Sequence, residues 1–244
     1  MKAVIIAAGC GSRLIEKHQG LPKSLLEISG KRIIDDIISK IYRCGIPHII
    51  VVTGFKHELL ESGLDNYRQT GIKIEFVYNP EWRKANGISI YCAKKKISPN
   101  EEFILLMSDH IFDRQMLNTI ANTKIGPTEA VLALDFKIDR IPDLDDGMKV
   151  QCTRRDNELF EIHRFGKKLN RYSAIDTGIF KFNYGFFKTL EETIRAGKDS
   201  LSDSCNTLSQ KGDMLGLDIG EQLWLDIDTP SMMAEKEIID EIFL

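Results

Sequence analysis

Two glycines and two basic residues near the N-terminus have the spacing of an anion-binding loop. A short apolar run ends just before Gly9 and Gly11, and Arg13 and Lys23 follow them. Glycine removes the Cβ atom where a backbone must bend and approach another group closely. Backbone N–H groups with nearby cations then bind phosphate. An ordinary strand-to-helix turn with a solvated arginine and lysine is the alternative, and the glycines alone do not decide between the two.

Three aspartates further along the chain have the chemistry of Mg²⁺ ligands. Asp109 follows the apolar run 102–108, where an unpaired carboxylate would be costly, and Asp226 and Asp228 lie near the C-terminus. Asp109 could instead cap the next helix, and one of the later pair could cap the segment before Pro230. We expect Asp226 and Asp228 to point to opposite faces of a strand-like run, so that the residues alone support one ligand from this pair.

The first half of the chain alternates between predicted strands and helices, which indicates an α/β fold with a doubly wound, mostly parallel, Rossmann-like sheet. After the first strand the patterns predict strands at 48–53, 73–78, 102–108 and 130–136, and helices at 33–41, 58–67, 89–97 and 114–122. Ligands bind such sheets beyond the carboxyl ends of the strands. The glycine loop and Asp109 are therefore expected at the same edge.

The second half contains shorter elements, which predict a small antiparallel subregion. Expected strands are 148–153, 159–165, 174–182 and 213–217, and expected helical segments are 184–196, 201–210 and one from Ser231. We interpret 1–244 as a single domain, with a nucleotide-binding half at about 1–136. The remainder, about 137–244, is expected to form an acceptor-binding half with closing helices.

Charge and composition exclude several classes of partner. The 33 basic and 36 acidic residues are interspersed and give a net charge of -3, which argues against nucleic acid and membrane-surface binding. Five widely spaced cysteines indicate a reducing cytoplasm. No apolar run approaches the roughly 20 residues that cross a bilayer, so no membrane contact by this chain is expected. The chain ends directly after a helical pattern, so we also consider that it is truncated from a longer protein.

Two common nucleotide-binding motifs are absent. Leu14 occupies the position where a dinucleotide-binding fingerprint needs its third glycine, and the G-x-x-x-x-G-K-[ST] pattern does not occur. These absences argue against a dehydrogenase and against a P-loop ATPase.

A different family signature is present. The residues A-A-G-C-G-S-R-L and L-P-K-S-L resemble the G-x-G-x-R-[LM] and P-K signature of sugar-phosphate nucleotidyltransferases, which have a GT-A-like fold. The resemblance continues through the D-T-G strand to W-L-D-I-D-T-P. Within this superfamily, N-G-I-S, F-G-K and D-T-G-I-F resemble the CTP:inositol-1-phosphate cytidylyltransferase branch most.

The resemblance implies Mg²⁺-dependent transfer of CMP from CTP to inositol 1-phosphate, which gives CDP-inositol and pyrophosphate. A CTP:phosphocholine cytidylyltransferase, or a sugar-1-phosphate nucleotidyltransferase that uses UTP or dTTP, is the alternative. A non-catalytic nucleotide-binding module is a second alternative. The resemblance also implies that some relatives fuse this domain to a membrane-embedded CDP-alcohol phosphotransferase, which, if the chain is truncated, would place it at the cytoplasmic face of the membrane.

The resemblance also assigns roles to the charged residues. It places Lys23 on the α-phosphate and the attacking phosphate, and Arg13 on the phosphates of the leaving pyrophosphate. With Asp109 these two residues form the implied catalytic set, and the implied metal ligands are Asp109, Asp226 and Asp228.

Substrate contacts are implied for a larger set, in which small residues and amides would surround the base and polar residues would bind the acceptor. This set comprises Ala7, Ala8, Gly9, Gly11, Ser12, Asn86, Gly87, Ser89, Lys167 and Asp176. Asn86 and Gly87 could equally form a plain turn, and Ser89 could cap a helix. Lys168 and Arg164 are alternatives to Lys167, and a turn-stabilising role is the alternative for Asp176.

Two further groups are expected to have no catalytic role. His110 follows Asp109, but a structural role is favoured. The acidic segment 139–146 could line a polyol pocket, although we expect a solvated loop.

Overall fold

The computed structural model of the chain describes residues 1–14 and 20–243, with the side chains of all of these except 68 and 69. Its strands are β1 (Lys2–Ala7), β2 (Glu27–Ile28), β3 (Lys31–Arg32), β4 (His48–Thr53), β5 (Lys73–Tyr78), β6 (Glu102–Met107), β7 (His110–Phe112), β8 (Ala130–Asp135), β9 (Lys149–Arg154), β10 (Leu159–Phe165), β11 (Ala174–Asn183), β12 (Met214–Asp218) and β13 (Trp224–Asp226). Its α-helices are α1 (Ile33–Arg43), α2 (His57–Gly63), α3 (Asn86–Cys92), α4 (Arg114–Asn122), α5 (Phe186–Arg195), α6 (Leu201–Ser209) and α7 (Lys236–Phe243).

Nine of these strands form one twisted sheet with the order β5-β4-β1-β6-β11-β8-β12-β10-β9. Strands β11 and β10 run antiparallel to their neighbours, and the other seven run in one direction. The predicted fold class, a mostly parallel α/β sheet, is confirmed. The antiparallel strands of the second half belong to the same sheet: β11 lies inside it between β6 and β8, and β10 pairs with β9 at one edge.

The core consists of two apolar layers, one on each face of the sheet. Ile5 in β1 belongs to the layer that includes α1, α4 and α7, while Val4 and Ile6 belong to the layer that includes α3, α5 and α6. Successive side chains of a strand alternate between faces. The strand must therefore be apolar at every position, which explains the continuous apolar runs of β1 and β6.

The glycine loop after β1 is shaped by its contact with Lys23. Gly11 has a φ of +59°, and a Cβ atom there would lie 2.9 Å from the Cβ of Lys23. Pro22, with a φ of −54°, leads into the short 3-10 turn Lys23–Leu25. Only glycine at position 11 allows the lysine stem to pass beneath the loop.

Local patterns predicted several elements with the observed bounds, including β4, β5 and α4. The expected helix at 89–97 was wrong at its start, because α3 begins at Asn86 and is followed by a 3-10 turn. The expected helix at 58–67 is the shorter α2 followed by a 3-10 turn. None of the helices in the described residues has the length and apolar character needed to span a membrane.

Gly87 lies in the first turn of α3, where the helix packs against the backbone before α6. A Cβ atom at this position would lie 2.4 Å from the carbonyl oxygen of Asp199. We expect Gly87→Ala to destabilise the protein by about 1–2 kcal/mol in urea unfolding, because overpacking outweighs the better helix propensity of alanine.

Gly9→Ala is the matched control, since nothing lies within 4 Å of a Cβ atom there. Its unfolding midpoint should remain at the wild-type value. Equal midpoints for Gly87→Ala and the wild type would contradict the close approach of α3 to Asp199.

Candidate active site

A short strand pair beyond the main sheet assembles the acidic centre. Strand β7 begins directly after Asp109 and pairs antiparallel with β13, with His110 opposite Asp226. Asp109 itself follows the carboxyl end of β6, as predicted from the sequence. This pairing, which the sequence analysis did not predict, places Asp226 beside Asp109.

Lys23 is the cation at the middle of this centre, and its side chain is only 7% exposed. Its Nζ atom lies 3.0 Å from Asp109 Oδ2 and 3.8 Å from Asp226 Oδ1, and it also donates a hydrogen bond to Asp228 Oδ1. Burial alone would lower the pKa of Lys23, but the charges of these three carboxylates raise it. The ammonium group is therefore held in its charged form.

The expectation that Asp226 and Asp228 point to opposite faces was wrong. Both carboxylates approach the same Nζ atom of Lys23. Residues two apart in an extended segment share a face, because the side-chain period of a strand is two.

Arg13 and Lys167 are joined by one carboxylate. Arg13 contacts Asp228, and its Nη1 atom donates to Asp146 Oδ2 at 2.7 Å. Lys167 Nζ donates to the other oxygen of Asp146 at 2.6 Å. The hydrogen bond with Asp146 raises the pKa of Arg13, with a further contribution from Asp228. Asp146 was expected in a solvated loop; instead it bridges two residues to which the resemblance assigned phosphate contacts.

His110 also belongs to the acidic centre. Its Nδ1 atom lies 2.8 Å from Asp109 Oδ1 and 3.9 Å from Asp226 Oδ1. Burial would lower the pKa of His110, but Asp226 and Asp109 raise it to about 9. The imidazolium stacks on Trp224 with 5.7 Å between ring centroids. Burial alone would raise the pKa of Asp109, but the positive charges of Lys23 and His110 hold this pKa well below its ordinary range.

Three groups of this centre lie close enough together to share a metal ion. Among the described residues, ligand atoms of Asp109, His110 and Asp226 all lie within 4.8 Å of one another. Asp226 Oδ1 is buried without a hydrogen-bond partner, and burial raises the pKa of Asp226 to about 7. An unpaired carboxylate oxygen beside a second carboxylate fits a hard divalent cation. His110 Nδ1 already hydrogen-bonds to Asp109 Oδ1, so the two carboxylates are the groups that fit.

The D-T-G motif forms an irregularity within strand β11 next to this centre. The pairing of β11 with β8 shifts register between Asp176 and Phe180, and Gly178 has a φ of +78°. A Cβ atom on Gly178 would lie 2.8 Å from the His110 ring, so the motif needs glycine here. Asp176 Oδ1 accepts a hydrogen bond of 2.8 Å from Gly178 N, and burial raises the pKa of Asp176 to about 6.

Two cavities meet at the acidic centre. The first, here called the glycine-loop cavity, has a volume of 340 Å³ and is lined by Gly9, Arg13, Lys23 and Trp82 among others. The second, the Trp224 cavity, has a volume of 420 Å³ and is lined by residues of both halves of the chain. The residues that line both cavities are Asn86, Met107, Asp109 and Asp228.

The predicted substrate residues divide between these cavities. The glycine-loop cavity is lined by Ala7, Gly9, Gly11, Ser12, Asn86 and Ser89. The Trp224 cavity is lined by Lys167 and Asp176 in addition to Asn86. Ala8 and Gly87 line neither of them: the Ala8 carbonyl accepts a hydrogen bond of 3.0 Å from Phe55 N, and Gly87 packs against Asp199.

The alternatives of a plain turn at 86–87 and a helix cap at Ser89 were wrong. All three residues lie inside α3, and Ser89 Oγ accepts a hydrogen bond of 2.9 Å from Asn79 Nδ2. Asn86 Oδ1 accepts a hydrogen bond of 2.9 Å from Leu201 N.

Sequence reasoning missed Trp82, Gln222 and Trp224 as lining residues. The segment 139–146 was expected to be a solvated loop, but Arg140, Asp143 and Asp146 line the Trp224 cavity, as in the alternative of a polyol pocket. Trp224 begins the W-L-D-I-D-T-P segment that supported the resemblance, so its position in that segment was an available signal. Trp82 and Gln222 lie in irregular segments, where no periodicity indicates which side chains face a cavity.

Asp176 supports a prediction about pH and stability. Its pKa of about 6 lies above the ordinary value of 3.8, so the folded state binds its proton more tightly than the unfolded state does. Asp176 therefore costs stability as the pH rises from about 4 to about 6. In urea unfolding, Asp176→Asn should match the wild type near pH 4 and exceed it by about 2 kcal/mol near pH 7.5.

Titratable groups elsewhere contribute equally to the wild type and to Asp176→Asn. The difference between the unfolding free energies of the two proteins therefore reports the titration of Asp176. Asp156→Asn is a control of opposite sign, because backbone hydrogen bonds from Glu158 and Leu159 lower the pKa of Asp156. It should be less stable than the wild type near pH 7.5. A pH-independent difference between Asp176→Asn and the wild type would rule out the raised pKa.

Known proteins resemble this chain in both sequence and fold. Residues 2–239 match the nucleotidyl transferase family. A bifunctional IPC transferase and DIPP synthase of Thermococcus kodakarensis is 32% identical over 234 residues, which cover 94% of this chain and 48% of that protein. A CTP:phosphoglutamine cytidylyltransferase of Campylobacter jejuni is 30% identical over 201 residues, which cover 76% of this chain and 74% of that one.

The fold also matches solved structures. The inositol-1-phosphate CTP transferase from T. maritima superimposes with a TM-score of 0.84 at 22% identity, over 99% of this chain and 95% of that one. The chain spans about half the length of the bifunctional relatives that it matches. The family match extends over nearly the whole chain, and the protein therefore belongs to the nucleotidyl transferase family.

Proposed function

We propose that this protein transfers CMP from CTP to inositol 1-phosphate and releases pyrophosphate. The observation that carries the proposal is that the two cavities share a wall. This wall contains Asp109 and Asp228, and the carboxylates of both residues contact the Nζ atom of Lys23. Transfer between two anionic substrates requires two adjacent sites with a cation between them. The names of the bifunctional relatives and of the T. maritima protein support this choice of substrates.

The glycine-loop cavity suits the nucleoside triphosphate. Gly9, Gly11 and Ser12 line it, and Arg13 and Lys23 supply positive charge. Trp82 lines the same cavity and offers an aromatic surface to a base. The Trp224 cavity, lined by Lys167 and Asp176, suits the phosphorylated acceptor.

The reaction needs positioning and charge neutralisation more than proton transfer. An oxygen of the acceptor phosphate attacks the α-phosphorus of CTP in line, and a new oxygen–phosphorus bond forms. The bond from the α-phosphorus to the bridging oxygen breaks, and its electron pair leaves with pyrophosphate. The attacking oxygen is already deprotonated at neutral pH, since the second pKa of a phosphomonoester is near 6. Direct attack predicts inversion at phosphorus.

The charged residues then act at different phosphates. Lys23, which contacts the carboxylates of the shared wall, would neutralise the α-phosphate and the attacking oxygen together. Arg13 would bind the leaving pyrophosphate and Lys167 the acceptor phosphate. Both cations are bound to Asp146, so phosphate oxygens would have to replace this carboxylate.

A divalent metal is part of the proposal, since this family generally uses one. We propose Mg²⁺, held by Asp109 and Asp226, with Asp228 as the third predicted ligand. Bound Mg²⁺ would supply Lewis-acid neutralisation of the triphosphate. Asp228 also contacts Lys23 and Arg13.

The proposal also covers the cellular location of the protein and the fate of its product, CDP-inositol. The five free cysteines support a cytoplasmic location. We propose that CDP-inositol is consumed by a membrane-embedded CDP-alcohol phosphotransferase, either fused to this domain or separate. The relatives with a second named activity are about twice as long as this chain.

A pyrophosphate-release assay tests the proposed reaction. Release should require CTP, inositol 1-phosphate and Mg²⁺ together. Lys23→Met should lower kcat/KM at least about 100-fold, as does the loss of a preorganised charge that stabilises a transition state. Lys188→Met, which changes an exposed lysine of α5, is the matched control and should retain full activity.

The same assay distinguishes the alternatives. Phosphocholine, phosphoglutamine and sugar 1-phosphates replace inositol 1-phosphate in parallel reactions, and UTP or dTTP replaces CTP. Faster turnover with any other pair would overturn the substrate assignment. CTP binding without turnover for any acceptor would favour the non-catalytic nucleotide-binding module.

The two tryptophans of the chain allow each cavity to be titrated separately. Trp82 lines the glycine-loop cavity and Trp224 the other, so two single-tryptophan proteins report on one cavity each. CTP should change the emission of Trp224→Phe, in which Trp82 remains. Inositol 1-phosphate should change the emission of Trp82→Phe. The reverse pattern would exchange the two assignments.

A further inference from the structure

We propose that Gln222 binds a hydroxyl group of the acceptor and thereby selects a polyol phosphate over phosphocholine. This inference rests on the proposed function, because it takes the Trp224 cavity as the acceptor site. It adds a specificity-determining residue to which the sequence analysis gave no role.

The starting observation is an unpaired side-chain oxygen on a residue that lines the cavity. Gln222 lines the Trp224 cavity, and its Oε1 atom is buried with no hydrogen-bond partner among the described residues. Buried side-chain oxygens in folded proteins nearly always have a partner. A ligand in this cavity is therefore expected to supply the missing hydrogen bond.

The backbone around Gln222 is anchored on both sides. Gln222 N donates to Ile219 O at 3.3 Å, and Lys137 Nζ donates to Gly220 O at 2.5 Å. Leu223 N donates to Asp113 Oδ2, and Asp113 N donates in return to Leu223 O, both at 2.8 Å. These bonds fix the backbone that carries the glutamine, so the site is preorganised for its ligand.

Two neighbouring groups of the cavity show what kind of ligand fits. The Trp224 indole N–H is already bound to Asp135 Oδ2 at 2.8 Å, so the rest of its ring presents only carbon. Asp176 uses Oδ1 for Gly178 N, and its other oxygen forms no hydrogen bond with the described residues. The cavity thus combines an apolar surface with oxygen acceptors that lack donors.

A ring polyol matches this combination, because it has apolar C–H faces and several hydroxyl groups. A hydroxyl group can both donate and accept, so it pairs with either end of the carboxamide. A trimethylammonium group has no N–H or O–H donor. The carboxylates of the cavity would attract its charge, but Gln222 would be left unpaired, which is the kind of loss that rejects an analogue lacking a hydroxyl.

Gln222→Met tests the inference, since it keeps the length of the side chain and removes its hydrogen-bonding atoms. We expect kcat/KM for inositol 1-phosphate to fall about tenfold, mainly through the KM of the acceptor, while the KM of CTP stays unchanged. Turnover of phosphocholine, if detectable, should not fall. Gln115→Met makes the same chemical change at an exposed site on α4 and should behave as the wild type.

Stability separates a binding role from a structural one. Because Oε1 is unpaired, Gln222→Met should unfold at or above the wild-type urea midpoint. A lower midpoint together with equal losses for CTP and acceptor would assign Gln222 a structural role and overturn the proposal. Unchanged acceptor KM would also overturn it, since a water molecule would then satisfy Oε1.

The proposed function could fail while the inference about Gln222 still holds. The sign of this would be a wild-type protein that turns over another acceptor but not inositol 1-phosphate. Binding then tests Gln222 directly, with Trp224 emission in a Trp82→Phe background as the readout. Inositol 1-phosphate should bind about tenfold more weakly to the Gln222→Met form of this protein, and phosphocholine should bind equally to both. Equal affinities for inositol 1-phosphate, or no binding to either form, would overturn the assignment.

Discussion

A buried ammonium group surrounded by carboxylates is the constraint on which this structure depends. Placing Lys23 away from water is costly unless opposite charges surround it. Its partners are Asp109 after β6, Asp226 in β13 and Asp228 just beyond. The lysine therefore ties the N-terminal loop to the middle and the end of the chain, and Gly11 lacks a side chain so that this lysine can pass.

The same arrangement pairs every strong cation of the site with negative charge, whether it is buried like Lys23 or half-exposed like Arg13 and Lys167. Lys23, Arg13 and Lys167 are each bound to carboxylates, and Asp146 bridges the last two. The carboxylates occupy positions that phosphate oxygens would take in the proposed reaction. Binding of an anionic substrate is then an exchange of partners, and net affinity depends on the difference between the two sets of contacts.

The sequence was sufficient for the elements that depend on local patterns. The apolar runs of β4 and β5 and the amphipathic α4 lie where they were predicted. Asp109 was expected beyond the carboxyl end of β6, and it is there, because the direction of a parallel sheet fixes which edge each loop joins. The glycine loop meets Asp109 for the same reason.

What could not be predicted depends on contacts between distant residues. Asp146 lies in an acidic loop without periodicity, and its partner Arg13 is 133 residues away. The start of α3 is fixed by packing on Asp199 and by the bond from Leu201 N to Asn86, neither of which leaves a local pattern. Strand β7 has three residues and no turn signal, and it becomes a strand only through its pairing with β13.

That pairing has a consequence for the order in which the protein becomes competent during synthesis. Residues 110–112 have left the ribosome long before residues 224–226, and domains fold as units once their segments are available. Until then the glycine loop, Lys23 and Asp109 exist without their C-terminal carboxylates. Strand β13 and the residues just after it therefore complete both the charge balance of Lys23 and the wall between the cavities, and the centre is unfinished until residues 224–228 have been synthesised.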